Sequence, residues 1–142
     1  MKKIIGVDLG DVRTGLAVSD ALGSMAHGIK TVRPKGAVEL IWMIKQLCEE
    51  NGAEAVVVGN PVNMDGSHGP RSEKATKFAE RLREETGLEV ILFDERMTTM
   101  AAARFMNETD TRGKKRKDSI DTLSAEIILQ NYLDAQKHKQ EI

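Results

Sequence analysis

The sequence predicts an α/β fold. Its core is a mixed five-stranded sheet that starts as three antiparallel strands, continues by β-α-β crossovers and carries helices on both faces. Apolar runs follow one another closely at the start of the chain, separated only by turns. From Gly36 the apolar spacing becomes helical. Helical and short apolar segments then alternate, giving the order β-β-β-α-β-α-β-α-α.

Residues 3–9 (KIIGVDL) and 14–19 (TGLAVS) form a predicted hairpin around a turn with Gly10 and Asp11. Residues 27–33 give a third strand, stopped by Pro34. In the first helix Val38, Ile41, Ile44 and Cys48 share a face, widened by Leu40, Trp42 and Leu47, and Asn51-Gly52 supplies the stop. Residues 54–59 (EAVVVG) read as a buried parallel strand. A polar loop over 60–69 leads to Pro70, well suited to the first helical position. The helix it opens buries Ala75, Phe78, Ala79 and Leu82 and ends at Gly87. Residues 88–93 form the fifth strand, and a helix is expected over about 98–107. A basic loop over 110–117 precedes a last helix from about Asp118 to Gln136, with Ile120, Leu123, Ile127 and Leu133 inward. Residues 1–137 are expected to form one domain, and 138–142 a frayed tail.

The 142 residues carry a formal net charge of −1, so any footprint for a polyanion must be local. Cys48 is the only cysteine, which excludes an internal disulfide and a cysteine-based zinc cage. Asp8 interrupts the N-terminal apolar stretch too early for a signal-peptide core, and no apolar run suits a membrane span, so a cytoplasmic location is expected.

Three acids occupy special places. Asp8 lies at the end of an apolar strand, where a carboxylate is costly unless a metal ion or a hydrogen bond compensates it. Glu95 follows the last strand, at the sheet end where open α/β sheets bind ligands. Asp121 begins the last helix beside the basic loop. Singly, each has a structural explanation: an Asx turn for Asp8, a solvated strand end for Glu95, and a dipole-favoured first helical turn for Asp121, with Asp118 as cap. Jointly, the three suit magnesium or manganese, hard ions that take oxygen ligands. Two-metal phosphodiester chemistry needs such carboxylates around ions roughly 3.5–4 Å apart.

The run RGKKRK places five cations, Arg112, Lys114, Lys115, Arg116 and Lys117, in six positions. It reads either as a solvated segment or as a phosphate-backbone patch next to Asp121. Arg13 follows the Asp8 turn and is expected to contact phosphate or to pair with a carboxylate. His68 reads as a surface histidine or as an aid to proton transfer, Ser72 shows no neighbouring base, and Trp42 reads as core or interface.

Four blocks, GVDLGDVRTGLAVSD at 6–20, VVVGNPVNMDGSHGPRS at 56–72, FDERMTTMAAA at 93–103 and KKRKDSIDTLSAEIILQNYL at 114–133, closely resemble the Holliday-junction-resolvase-like YqgF (RuvX) family, in its order. The resemblance implies a ribonuclease H-like fold and catalytic acids at Asp8, Glu95 and Asp121, with Asp118 a fourth ligand or a neighbour that orients one. It also implies metal-dependent hydrolysis of nucleic acid, with RNA favoured over structured DNA, in 5′-end maturation of the 16S rRNA precursor within a pre-ribosomal particle. Older naming assigned the family to Holliday-junction resolution, which would call for a symmetric homodimer. Two positions depart from the family pattern: Asn60, where an apolar residue is usual, and Leu123-Ser124-Ala125, where an Ala pair follows the acid. A nucleic-acid-binding factor without catalysis is the alternative of a different class, and retention of all three acids weighs against it.

Overall fold

A computed structural model describes residues 3–61, 65–94 and 113–140, with side chains described except at 113–120 and 138–140. Five strands, β1 (Lys3–Leu9), β2 (Thr14–Ser19), β3 (Ala26–Val32), β4 (Ala53–Asn60) and β5 (Glu89–Asp94), form one sheet in the order β3-β2-β1-β4-β5. The pairs β1–β2 and β2–β3 are antiparallel, whereas β1–β4 and β4–β5 are parallel. Helix α1 (Ala37–Asn51) connects β3 to β4, and α2 (Pro70–Thr86) connects β4 to β5. The third described helix is α3 (Gly113–Gln140). The mixed sheet with helices on both faces is the expected arrangement; the expected helix over 98–107 lies outside the described residues.

Strand alternation sorts the core into two layers. Ile5 and Val7 of β1 and Val56 and Val58 of β4 pack with α1 and α2, against Leu40, Ile44, Phe78 and Leu82. On the other face, Ile4, Ala17, Ala55 and Val57 meet Ala125, Ile128, Leu129 and Leu133 of α3. Small side chains on the α3 face bring that helix close. A Cβ at Gly6 would lie 2.8 Å from Leu129 Cβ, and a Cβ at Gly15 would overlap the Asp121 carbonyl oxygen.

Several expectations change. Helix α3 starts at Gly113, so Lys114, Lys115, Arg116 and Lys117 lie on helical backbone rather than in a loop. Lysine and arginine are good helix formers, and this propensity prevails over the unfavourable cations near a helix N-terminus. The same helix continues to Gln140, into the segment expected to fray at 138–142. Its buried stripe is Ala125, Ile128, Leu129 and Leu133, with Leu123 and Ile127 only partly covered. Val38 and Trp42 are 67% and 60% exposed, although both were expected on the inner face of α1. At 100° per residue the buried stripe through Leu40, Ile41, Ile44, Leu47 and Cys48 leaves Trp42 roughly 160° from its centre.

Candidate active site

Asp8 is the penultimate residue of β1 and shares the α3 face with Ile4 and Gly6 by alternation. Its cross-strand partner is Gly15 of β2, and the backbone of Asp121 lies directly over that glycine. The missing side chain at Gly15 therefore seats α3 beside Asp8. On α3, Asp121, Ala125 and Leu129 recur at intervals of four, so the acid belongs to the sheet-facing stripe. Because the helix begins at Gly113, Asp121 lies two turns inside it. A first-turn dipole or capping role does not account for the residue, and Asp118 is not the helix cap.

Arg13, from the β1–β2 turn, donates from Nε to Asp121 Oδ2 at 2.6 Å, with both groups partly buried. Of the two expected uses of Arg13, the structure displays the carboxylate pair. Burial, followed by the nearby Asp121 carboxylate, pushes the Asp8 carboxyl up from 3.8 to about 6, while Arg71 pulls it the other way. Arg71, near the start of α2, is a site cation that sequence reasoning did not single out. Its only sequence signal was its place in the HGPRS segment that opens α2.

The strands β1, β4 and β5 run parallel and finish at the same sheet end, where Asn60 is level with Asp94. Glu95, the next residue, lies outside the described residues, as does Arg112. The side chains of Asp118, Lys114, Lys115, Arg116 and Lys117 are likewise outside the description, although their backbone belongs to α3. Among the described residues, no group of three or more potential metal-binding side chains meets. The acids brought together are Asp8 and Asp121. Their donors are carboxylate oxygens, and Asp8 is largely buried near a second carboxylate; both properties fit a hard divalent cation.

A second polar cluster flanks the sheet end. Ser72 Oγ, fully buried, donates to Asn60 Oδ1 at 2.6 Å and lies 2.7 Å from His68 Nδ1. The serine hydrogen is committed to Asn60, so His68 Nδ1 carries its own hydrogen and donates to Ser72. Ser72 thus has a ring beside it, contrary to the sequence expectation. It is nevertheless no nucleophile, since it is inaccessible and its proton is directed away from the imidazole. The unusual Asn60 is explained by the same contact, because it faces a polar partner on α2.

Among solved structures, the fold is similar to the yeast mitochondrial Holliday junction resolvase Ydc2, with a TM-score of 0.63 at 10% identity, covering 99% of this chain and 81% of that one. It is also similar to Thermus thermophilus RuvC in complex with a Holliday junction substrate, with a TM-score of 0.56 at 16% identity over 96% of each chain. The architecture is thus the ribonuclease H-like fold of these resolvases. A Caldanaerobacter subterraneus subsp. tengcongensis protein named "Putative pre-16S rRNA nuclease" is 47% identical over 137 residues, covering 96% of this chain and 99% of its own. One of the same name from Clostridioides difficile strain 630 is 45% identical over 132 residues, covering 93% and 94%. The sequence model of the RuvX family, described as a Holliday junction resolvase, matches residues 2–135, and the chain belongs to that family.

Proposed function

We propose that the protein is a metal-dependent endonuclease that matures the 5′ end of the 16S rRNA precursor, in the cytoplasm and on a pre-ribosomal particle. The observation that carries this reading is the approach of Asp121 to Asp8 across Gly15, which brings two carboxylates together at the end of the central strands. Relatives that match nearly end to end bear the nuclease name, which supports the substrate.

In this reading Asp8, Glu95 and Asp121 hold magnesium or manganese, with Asp118 as a further ligand or a neighbour that orients one. A divalent cation held there supplies Lewis acidity to the scissile phosphodiester. Arg13 fixes the rotamer of Asp121 through its Nε contact, and the positive charge of Arg71, from α2, acts on Asp8. The arginines and lysines of 112–117 lie just before the acid in sequence and attract the phosphate backbone without reading bases. No protein nucleophile is required, in keeping with the committed proton of Ser72.

The test is cleavage of labelled 16S rRNA precursor and of a synthetic four-way DNA junction, with magnesium or manganese, beside Asp8→Asn. Cleavage of the RNA that requires both metal and Asp8 is expected. Symmetric cutting of the junction alone would replace this reading with the resolvase, and binding of both substrates without cutting would leave a non-catalytic factor.

A further inference from the structure

Behind the β1–β2 turn, on the sheet face opposite α3, a groove of 520 Å³ opens between that turn, the start of α1 and the outer side of α2. Four cations line it, Lys35, Lys74, Lys77 and Arg81, against the acids Asp11 and Glu73. Lys74, Lys77 and Arg81 are spaced by three and four residues, so they form one stripe about 10 Å long on α2. Two of these cations have carboxylate partners, Lys74 with Asp11 at 3.2 Å and Arg81 with Glu85 at 3.3 Å. Both pairs are exposed, and a phosphate can compete with such pairs.

A shallower continuation shares Lys35, Gly36 and Arg81 and reaches Val38 and Trp42. This is the only tryptophan in a chain with 4% aromatic residues, and it stands 60% exposed on the outer side of α1. A large ring left in water beside a row of cations is the combination that binds single-stranded nucleic acid. The cations follow the backbone, and the ring stacks on a base of any identity. The other end of the groove is Leu9, Gly10 and Asp11, which come directly after Asp8.

We propose that this groove holds a single-stranded segment of the RNA substrate, with phosphates along Lys74, Lys77 and Arg81 and a base stacked on Trp42. The inference rests on the nuclease reading for the identity of the strand. It adds that the enzyme grips unpaired RNA on the sheet face opposite its acids and passes it over the β1–β2 turn to them.

The single tryptophan makes the test direct. A 12-nucleotide oligouridylate with a fluorescein label is titrated into the full chain in EDTA, and tryptophan emission and label anisotropy are followed together; an RNA duplex of equal length is the comparison. Quenching by the single strand and not by the duplex is expected. Trp42→Ala and the Lys77→Glu/Arg81→Glu pair should each weaken binding by about tenfold or more, with circular dichroism unchanged. Binding seen by anisotropy with tryptophan emission unmoved would overturn the groove, as would undiminished affinity in both variants. Sedimentation that shows Trp42→Ala converting a dimer to a monomer would assign the face to a second copy instead. Failure of the nuclease reading looks different: the groove binds as described, and precursor rRNA with metal is never cut.

Discussion

Gly15 and Asp121 touch through the space that a side chain at position 15 would fill. The acid's backbone therefore rests on the strand next to Asp8. Gly15→Ala forces the helix and the sheet apart at this point. The expected loss is about 1–3 kcal/mol of stability, typical of overpacking, with a disproportionate loss of cleavage because Asp121 is displaced. Comparing Tm with metal-dependent activity in Gly15→Ala separates the two effects, since displacement of Asp121 lowers cleavage beyond what the lost stability accounts for.

Asp8→Asn should abolish cleavage and yet stabilise the metal-free protein at neutral pH. The folded Asp8 carboxyl, at about 6, holds its proton more tightly than the unfolded one near 3.8. Between these values the folded state binds more protons, so this group's contribution falls as pH rises and stays low above about 6. Denaturant melts of wild type and Asp8→Asn from pH 4 to 8 in EDTA should diverge through that window, by on the order of 2 kcal/mol in favour of the variant. Parallel curves would show that Asp8 is not under electrostatic stress.

Magnesium or manganese should reverse that order. A cation held by the acids binds the folded state alone and raises the Tm of wild type at pH 7, with little effect on Asp8→Asn. Because protons and cations compete for the same carboxylate, the apparent metal affinity of wild type should drop as pH falls through about 6. Calorimetric titration at pH 5.5 and 7.5 measures this directly.

Arg13→Ala removes a charge-assisted hydrogen bond and frees the Asp121 carboxylate to rotate. Stability should drop by about 1–2 kcal/mol and metal-dependent cleavage by more than tenfold. Arg13→Lys keeps the charge without the planar guanidinium and should recover stability better than activity. Equal recovery of both would make the arginine a structural tie only.

Ser72→Ala strands Asn60 without its donor, at an expected cost of about 1–3 kcal/mol. Asn60→Leu alone leaves the buried serine hydroxyl without its acceptor and should cost a similar amount. The double variant, in which two apolar groups meet, should lie much nearer wild type than the sum of the single changes. A double-mutant cycle by urea melts gives the coupling.

Much of the fold is legible in the sequence because local signals and tertiary packing agree. Pro70 and Gly87 bound α2 as expected, and Ala75, Phe78, Ala79 and Leu82 are its inner face. Helix α3 is less legible. A capping pattern at Asp118 competes there with the plain helix propensity of the lysines before it, and the propensity prevails. Its inward stripe is hard to read as well, since Ala125 is too small to stand out in an apolar pattern yet is fully buried against the sheet. In the site, the resemblance pointed to Asp8 and Asp121, but no local signal ties Arg13 to one of them in particular. The Ser72 contacts are equally hidden, because ion pairs and buried hydroxyl partners across 108 and 12 residues leave no local trace.

The close seating of α3 on the sheet also fixes which kinds of chain-length change this protein tolerates. Adding or removing one residue between Asp121 and Ala125 displaces the helix on one side of the change, relative to the other, by about 1.5 Å along the axis and turns it by about 100°. Either the acid leaves its place over Gly15 or the alanine and leucine stripe leaves the sheet. An insertion beyond Leu133, the last buried residue of the helix among the described side chains, changes neither. Single-residue indels in the three positions between Asp121 and Ala125 should therefore behave like deletions of the acid itself, while those near the helix end pass unnoticed.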